Sequence, residues 1–156
     1  MAELKARLRA DLAEAIKNRE SVRMASLRMA LSAVTTEEVA GDAARELSDA
    51  EVQRVLTREV KKRREAAEAF AGAGRAEQAK AEQDEAAVLE AYLPTQLTDD
   101  ELETLVAEAV AEVTEQLGDA PGQRQMGQVM KAANAKVAGR AEGGRVAAAV
   151  RARLTG

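Results

Sequence analysis

The chain has 156 residues, 46% of them hydrophobic and 32% charged, with a net charge of −4, enough for one domain or two small ones. It contains neither Cys nor His, which excludes disulfides and thiolate metal sites and removes the commonest general base and metal ligand. No apolar run approaches the roughly 20 residues that span a bilayer, and the opening MAELKARLRADLAEA lacks an apolar leader core, so a soluble cytoplasmic protein without membrane association is expected.

Alanine supplies 36 of the hydrophobic residues, and Phe70 and Tyr92 are the only aromatics. Such a composition fills thin seams between closely approaching helices rather than a wide core, and Ala is the best intrinsic helix former. Leu4, Leu8, Leu12, Ala15 and Ile16 recur at helical spacing and predict a first helix over about 3–17, with Asn18 as its stop. Val22, Leu27, Leu31 and Val34 predict a second, ending near Val39 before Gly41. Ser48-Asp-Ala-Glu51 reads as a capping box opening a third helix that continues through Phe70 and breaks at Gly72 and Gly74. A fourth covers about 75–91, and Pro94 prevents its continuation.

Thr98-Asp-Asp-Glu101 is a second capping box. The helix it opens carries Leu102, Leu105, Val106, Ala109, Val110, Val113 and Leu117 on one face, the cleanest amphipathic pattern in the chain. Pro121-Gly122 marks a loop. Met126, Val129, Met130, Ala133 and Val137 predict a sixth helix closed by Gly139, and Val146, Val150 and Leu154 a seventh. The expected fold is all-α: an N-terminal four-helix unit with long helices over 1–93 and a small C-terminal three-helix domain over 98–156, hinged at 93–97.

On the third helix Arg54, Arg58, Lys61 and Lys62 share a face opposite Val52, Val55, Leu56, Val60, Ala67 and Phe70. A stripe of this kind reads phosphate backbone or is a solvated face partly neutralised by Glu65 and Glu68. Glu59 and Arg63 project into the apolar side instead, in the favourable acid-first i, i+4 order. Desolvated charges need partners, so an inter-helix ion network is expected among Arg28, Glu59, Arg63, Arg75, Glu82 and Glu85, structural in role.

Nothing in the pattern calls for a cofactor or a metal. Neither GxxxxGK[ST] nor GxGxxG is present, and no His is available to activate a nucleophile, so no catalytic residue is assigned. Charge is segregated, however. Residues 99–119 hold eight acids and no base, whereas 121–156 hold seven bases against the single acid Glu142. Lys131, Lys136, Arg140 and Arg145 cluster about the turn between the sixth and seventh helices, where the first turn of the latter suits a phosphate. The alternative is a basic tail that only balances the acidic fifth helix.

Leu27-Arg28-Met29, Val60-Lys61-Lys62-Arg63, Ala73-Gly74-Arg75, Glu82 with Glu85, Tyr92-Leu93-Pro94, Met126-Gly127-x-Val129-Met130-Lys131 and Gly139-Arg140-Ala141 together make the chain resemble the GatB/YqeY family, in order and over nearly its whole length. That family comprises stand-alone YqeY-like proteins and the tail region of the B subunit of the glutamine-dependent aspartyl/glutamyl-tRNA amidotransferase. The chain departs from the family at Gln125, Ala135 and Glu142, the last expected to cap its helix less well than Asp. The resemblance implies an accessory module that contacts tRNA through its C-terminal domain, at Lys131 and Arg140 with Lys136 and Arg145 in support. Net acidity, the acidic fifth helix and the lack of aromatics favour an alternative, a module docking on a protein partner, an amidotransferase or synthetase. The resemblance also implies a carbon–nitrogen ligase using glutamine as amido donor, for which the residues offer no site.

Overall fold

The structure is a computed structural model that describes residues 2–155. Among the described residues there are seven α-helices and no strand. The chain divides between Leu93 and Pro94 into two compact units.

The first unit holds α1 (Glu3–Lys17), α2 (Ser21–Glu38), α3 (Asp49–Gly72) and α4 (Ala76–Glu90). Asn18 ends α1, and Arg19 turns the chain at φ 55°. The predicted capping box opens α3: the Ser48 hydroxyl accepts from the Glu51 N–H at 3.2 Å, and Glu51 accepts from the Ser48 N–H. Gly72 is still helical. The break is made by Gly74 alone, at φ 75°, a conformation that costs glycine no Cβ clash. There the Arg75 N–H reaches the Phe70 carbonyl at 2.8 Å and the Gly74 N–H that of Ala71 at 3.1 Å, the two bonds of a Schellman motif.

The core of this unit is Leu8, Leu27, Val34, Val52, Leu56 and Leu89, all fully buried, with Ala15, Ala30 and Ala86 between them. At its rim Lys5, only 8% exposed, places Nζ 2.8 Å from both carboxylate oxygens of Glu38. That bond is the main cause holding the Glu38 carboxyl below its ordinary range. The Leu4 N–H, one of the orphan donors of α1's first turn, is taken by Asp49 at 3.0 Å.

The second unit holds α5 (Asp99–Leu117), α6 (Met126–Val137) and α7 (Gly143–Thr155), with a 3₁₀ turn over Gln123–Gln125 leading into α6. Thr98 and Glu101 form the capping box of α5, and Gly118 at φ 76° ends it. The largest fully buried side chains are all valines: Val106, Val113, Val129, Val137, Val146 and Val150. Valine is short and stiff at χ1, so with Ala109 and Ala133 it fills a narrow three-helix seam.

Candidate nucleic-acid interface

The amphipathic α5 buries Leu102, Val106, Ala109 and Val113 and leaves Asp100, Glu101, Glu108, Glu112 and Glu115 exposed. The cations of the second unit come later in the chain, and four of them were expected around the α6–α7 turn. The structure gives three of these four local partners.

Ala138 (φ 50°) and Gly139 (φ 78°) take the chain out of α6 through two successive left-handed residues, so the helix is closed one residue before the expected Gly139. This reversal folds the Arg140 guanidinium back onto the helix end, where Nε donates to the Val137 carbonyl at 3.0 Å and Nη2 to that of Lys136 at 2.9 Å. A cation here satisfies orphan carbonyls and meets the negative end of the helix dipole. The Arg140 carbonyl accepts the Leu97 N–H at 2.7 Å. Arg145 Nη2 donates to the Leu97 carbonyl at 3.0 Å and to Asp99 at 2.9 Å. Lys136 lies 3.2 Å from Glu112.

The N-terminus of α7 is also engaged, because the Glu142 carboxylate accepts the Gly144 N–H at 3.1 Å. Glu142 thus caps α7 in place of Asp, and its carboxylate stands where a bound phosphate was expected. A Cβ on Gly144 would come within 3.0 Å of that carboxylate. Lys131 differs from the other three: it is exposed on α6 and takes no carboxylate among the described residues.

Arg54, Arg58, Lys61 and Lys62 are all exposed on α3, with Val52, Val55, Leu56, Val60 and Ala67 buried behind them. Arg58 reaches Glu37 of α2 at 3.2 Å and Lys62 reaches Glu59 at 3.4 Å, so part of the stripe's charge is met locally.

Arg63 sits among three carboxylates, 3.6 Å from Glu59 on its own helix and 3.6 and 3.8 Å from Glu82 and Glu85 on α4. All four side chains are largely shielded, and Arg63 Nε and Glu82 Oε2 lie out of solvent without a hydrogen bond. Burial, with Glu82 beside it, raises the Glu85 carboxyl above its ordinary range against the pull of Arg63. Arg28 and Arg75 stand outside this cluster, contrary to expectation. Arg28 follows the buried Leu27 by 100° and so faces outward, and Arg75 lies at the open start of α4; both are exposed. Among the described residues no acidic cluster has the geometry to hold a metal ion, and no helix is long and apolar enough to cross a membrane.

Sequence reasoning missed three exposed polar residues beside Lys131: Arg124 in the 3₁₀ turn, and Gln128 and Asn134 on α6. Their signal was present, since residues 120–141 contain no acid and 128, 131 and 134 share a helical face. Comparison of the chain with curated proteins gave no match. The family described as Yqey-like protein matches residues 5–154.

Proposed function

The chain belongs to the YqeY-like family, and on that premise we propose that it is an accessory module that binds structured RNA, tRNA foremost, through its C-terminal unit. The observation that carries this reading is the segregation of charge in that unit: eight acids fall within 99–119, while 121–156 hold seven bases and one acid. A net-acidic protein can still present a local positive face to phosphates. The resemblance to the tail of an amidotransferase B subunit points to the same ligand. Chemistry on the RNA would belong to a partner enzyme.

The test is a titration of purified total tRNA at low and at physiological salt. Saturable binding that weakens as salt rises is expected, because each neutralised phosphate releases counterions. Absence of binding at low salt would end this reading.

The exposed acidic row of α5 favours a second reading, docking on a basic surface of an amidotransferase or synthetase. A complex with such an enzyme that survives nuclease treatment would support it over RNA binding.

A further inference from the structure

Resting on the RNA-binding reading, we infer that the contact is the exposed face of α6, centred on Lys131, and not the α6–α7 turn. Arg140, Arg145 and Lys136 are held by carbonyls, Asp99 and Glu112, and each would have to break those bonds to meet a phosphate. Lys131 has no such bond to break.

Around it the helix is unusually bare. Gly127, Gln128, Lys131, Asn134 and Ala135 are exposed and at 100° per residue fall within a sector of about 120°. Arg124, also exposed, sits in the turn that leads into this face. Gly127 and Ala135 flank Lys131 at i−4 and i+4, so the ammonium stem rises from a shallow saddle with no bulky neighbour; even a Cβ built on Gly127 meets nothing within 4 Å.

Two cations about 10 Å apart along the axis, two side-chain amides and no carboxylate match the donors that contact RNA backbone oxygens. Without an aromatic the face cannot stack bases, so it grips the strand by its phosphodiesters and by shape. A protein partner would ask for large apolar or aromatic anchors, and this face offers none.

Gly127→Glu tests the inference. Gly127 is the second residue of α6, where replacing glycine favours the helix and an acid suits its N-terminal dipole. The variant should melt at or above the parent temperature while binding total tRNA at least about tenfold more weakly, through like-charge repulsion at the contact. Lys131→Ala should lower the salt slope by about one. A parent that binds tRNA alongside a Gly127→Glu variant that binds equally well overturns the α6 face and leaves the RNA reading intact. In that case Arg54→Glu with Arg58→Glu would locate the contact on α3. A parent that does not bind overturns both.

Discussion

The Tyr92 hydroxyl donates a hydrogen bond to the Asp11 carboxylate, joining the residue just past α4 to the middle of α1 across 81 positions of sequence. Arg23 of α2 lies 3.8 Å from the same carboxylate, and the Arg7 guanidinium stands 4.7 Å above the phenol ring, within cation–π range. Three helices are thereby tied to one aromatic side chain, in a protein that has only two.

Tyr92→Phe keeps the ring and deletes the donor. A hydrogen bond to a charged acceptor is worth about 1.5–3 kcal/mol, and the variant's urea midpoint should fall accordingly. Burial first, and the Asp11 bond second, push the phenol up to about 12 from its ordinary 10. The neutral form is the one the fold favours, so this contribution is complete below about pH 10 and is lost as pH rises toward about 12. Tyr92 is the sole tyrosine and there is no Trp, so tyrosinate absorbance reads this group alone. Its midpoint should lie near 12 in the folded protein.

Arg63 and Arg64 separate bridge length from bridge worth. Arg64 makes the shorter contact, 2.7 Å to Glu90, but both side chains are 40% or more exposed, and such pairs contribute about 0–1 kcal/mol. Arg63 makes longer contacts in a shielded cluster of three carboxylates. Lys62 still reaches Glu59 when Arg63 is removed, but Glu82 and Glu85 lose their shared cation, and Arg63→Met should cost about 3 kcal/mol, the low end for breaking a buried pair. Thermal melts of the two single variants should differ clearly, with Arg64→Met close to the parent.

Glu85→Gln should stabilise the protein at neutral pH. The raised Glu85 carboxyl binds its proton more tightly folded than unfolded. Its contribution is therefore complete below the unfolded value and is lost as pH rises through the folded one. Glutamine mimics the protonated acid and removes that loss, so the variant's advantage in melting temperature should shrink as pH is lowered.

The exit from α6 predicts opposite effects two residues apart. Ala138 sits at φ 50°, where an L-residue pays about 1–2 kcal/mol; Ala138→Gly should gain about 1 kcal/mol after glycine's greater unfolded-state freedom is charged. Arg140→Ala frees the Lys136 and Val137 carbonyls and should lose about 1 kcal/mol. Chemical denaturation of both variants checks the pair, and it shows whether weaker RNA binding by an Arg140 variant reflects lost stability.

The all-α class and its helix limits were legible because they are written in local chemistry. Ser48 with Glu51 and Thr98 with Glu101 announce two starts, while Gly74, Pro94 and Gly118 announce stops. Glu59 and Arg63 declared themselves as charges on an apolar face, and Glu82 and Glu85 were within the set offered as partners. Periodicity assigns a residue to a face and not to a neighbour, however, which is why Arg28 and Arg75 were expected in the cluster and are not there. The same limit hid Tyr92–Asp11 and Lys5–Glu38, whose members lie 81 and 33 residues apart. Arg140 looked free because the left-handed step at Ala138, which swings it onto the end of its own helix, has no signature in an alanine, and Arg145 because its partners Leu97 and Asp99 lie 48 and 46 residues away.

Lys5 gives the chain an internal gauge of its own motion. Its amine is walled in and gripped by both oxygens of Glu38, whereas that of Lys131 stands in water. An acylating reagent meets Lys131 directly, on an exposed helix face. It takes Lys5 only when the grip of Glu38 opens, so the ratio of the two labelling rates measures how much of that open state is populated.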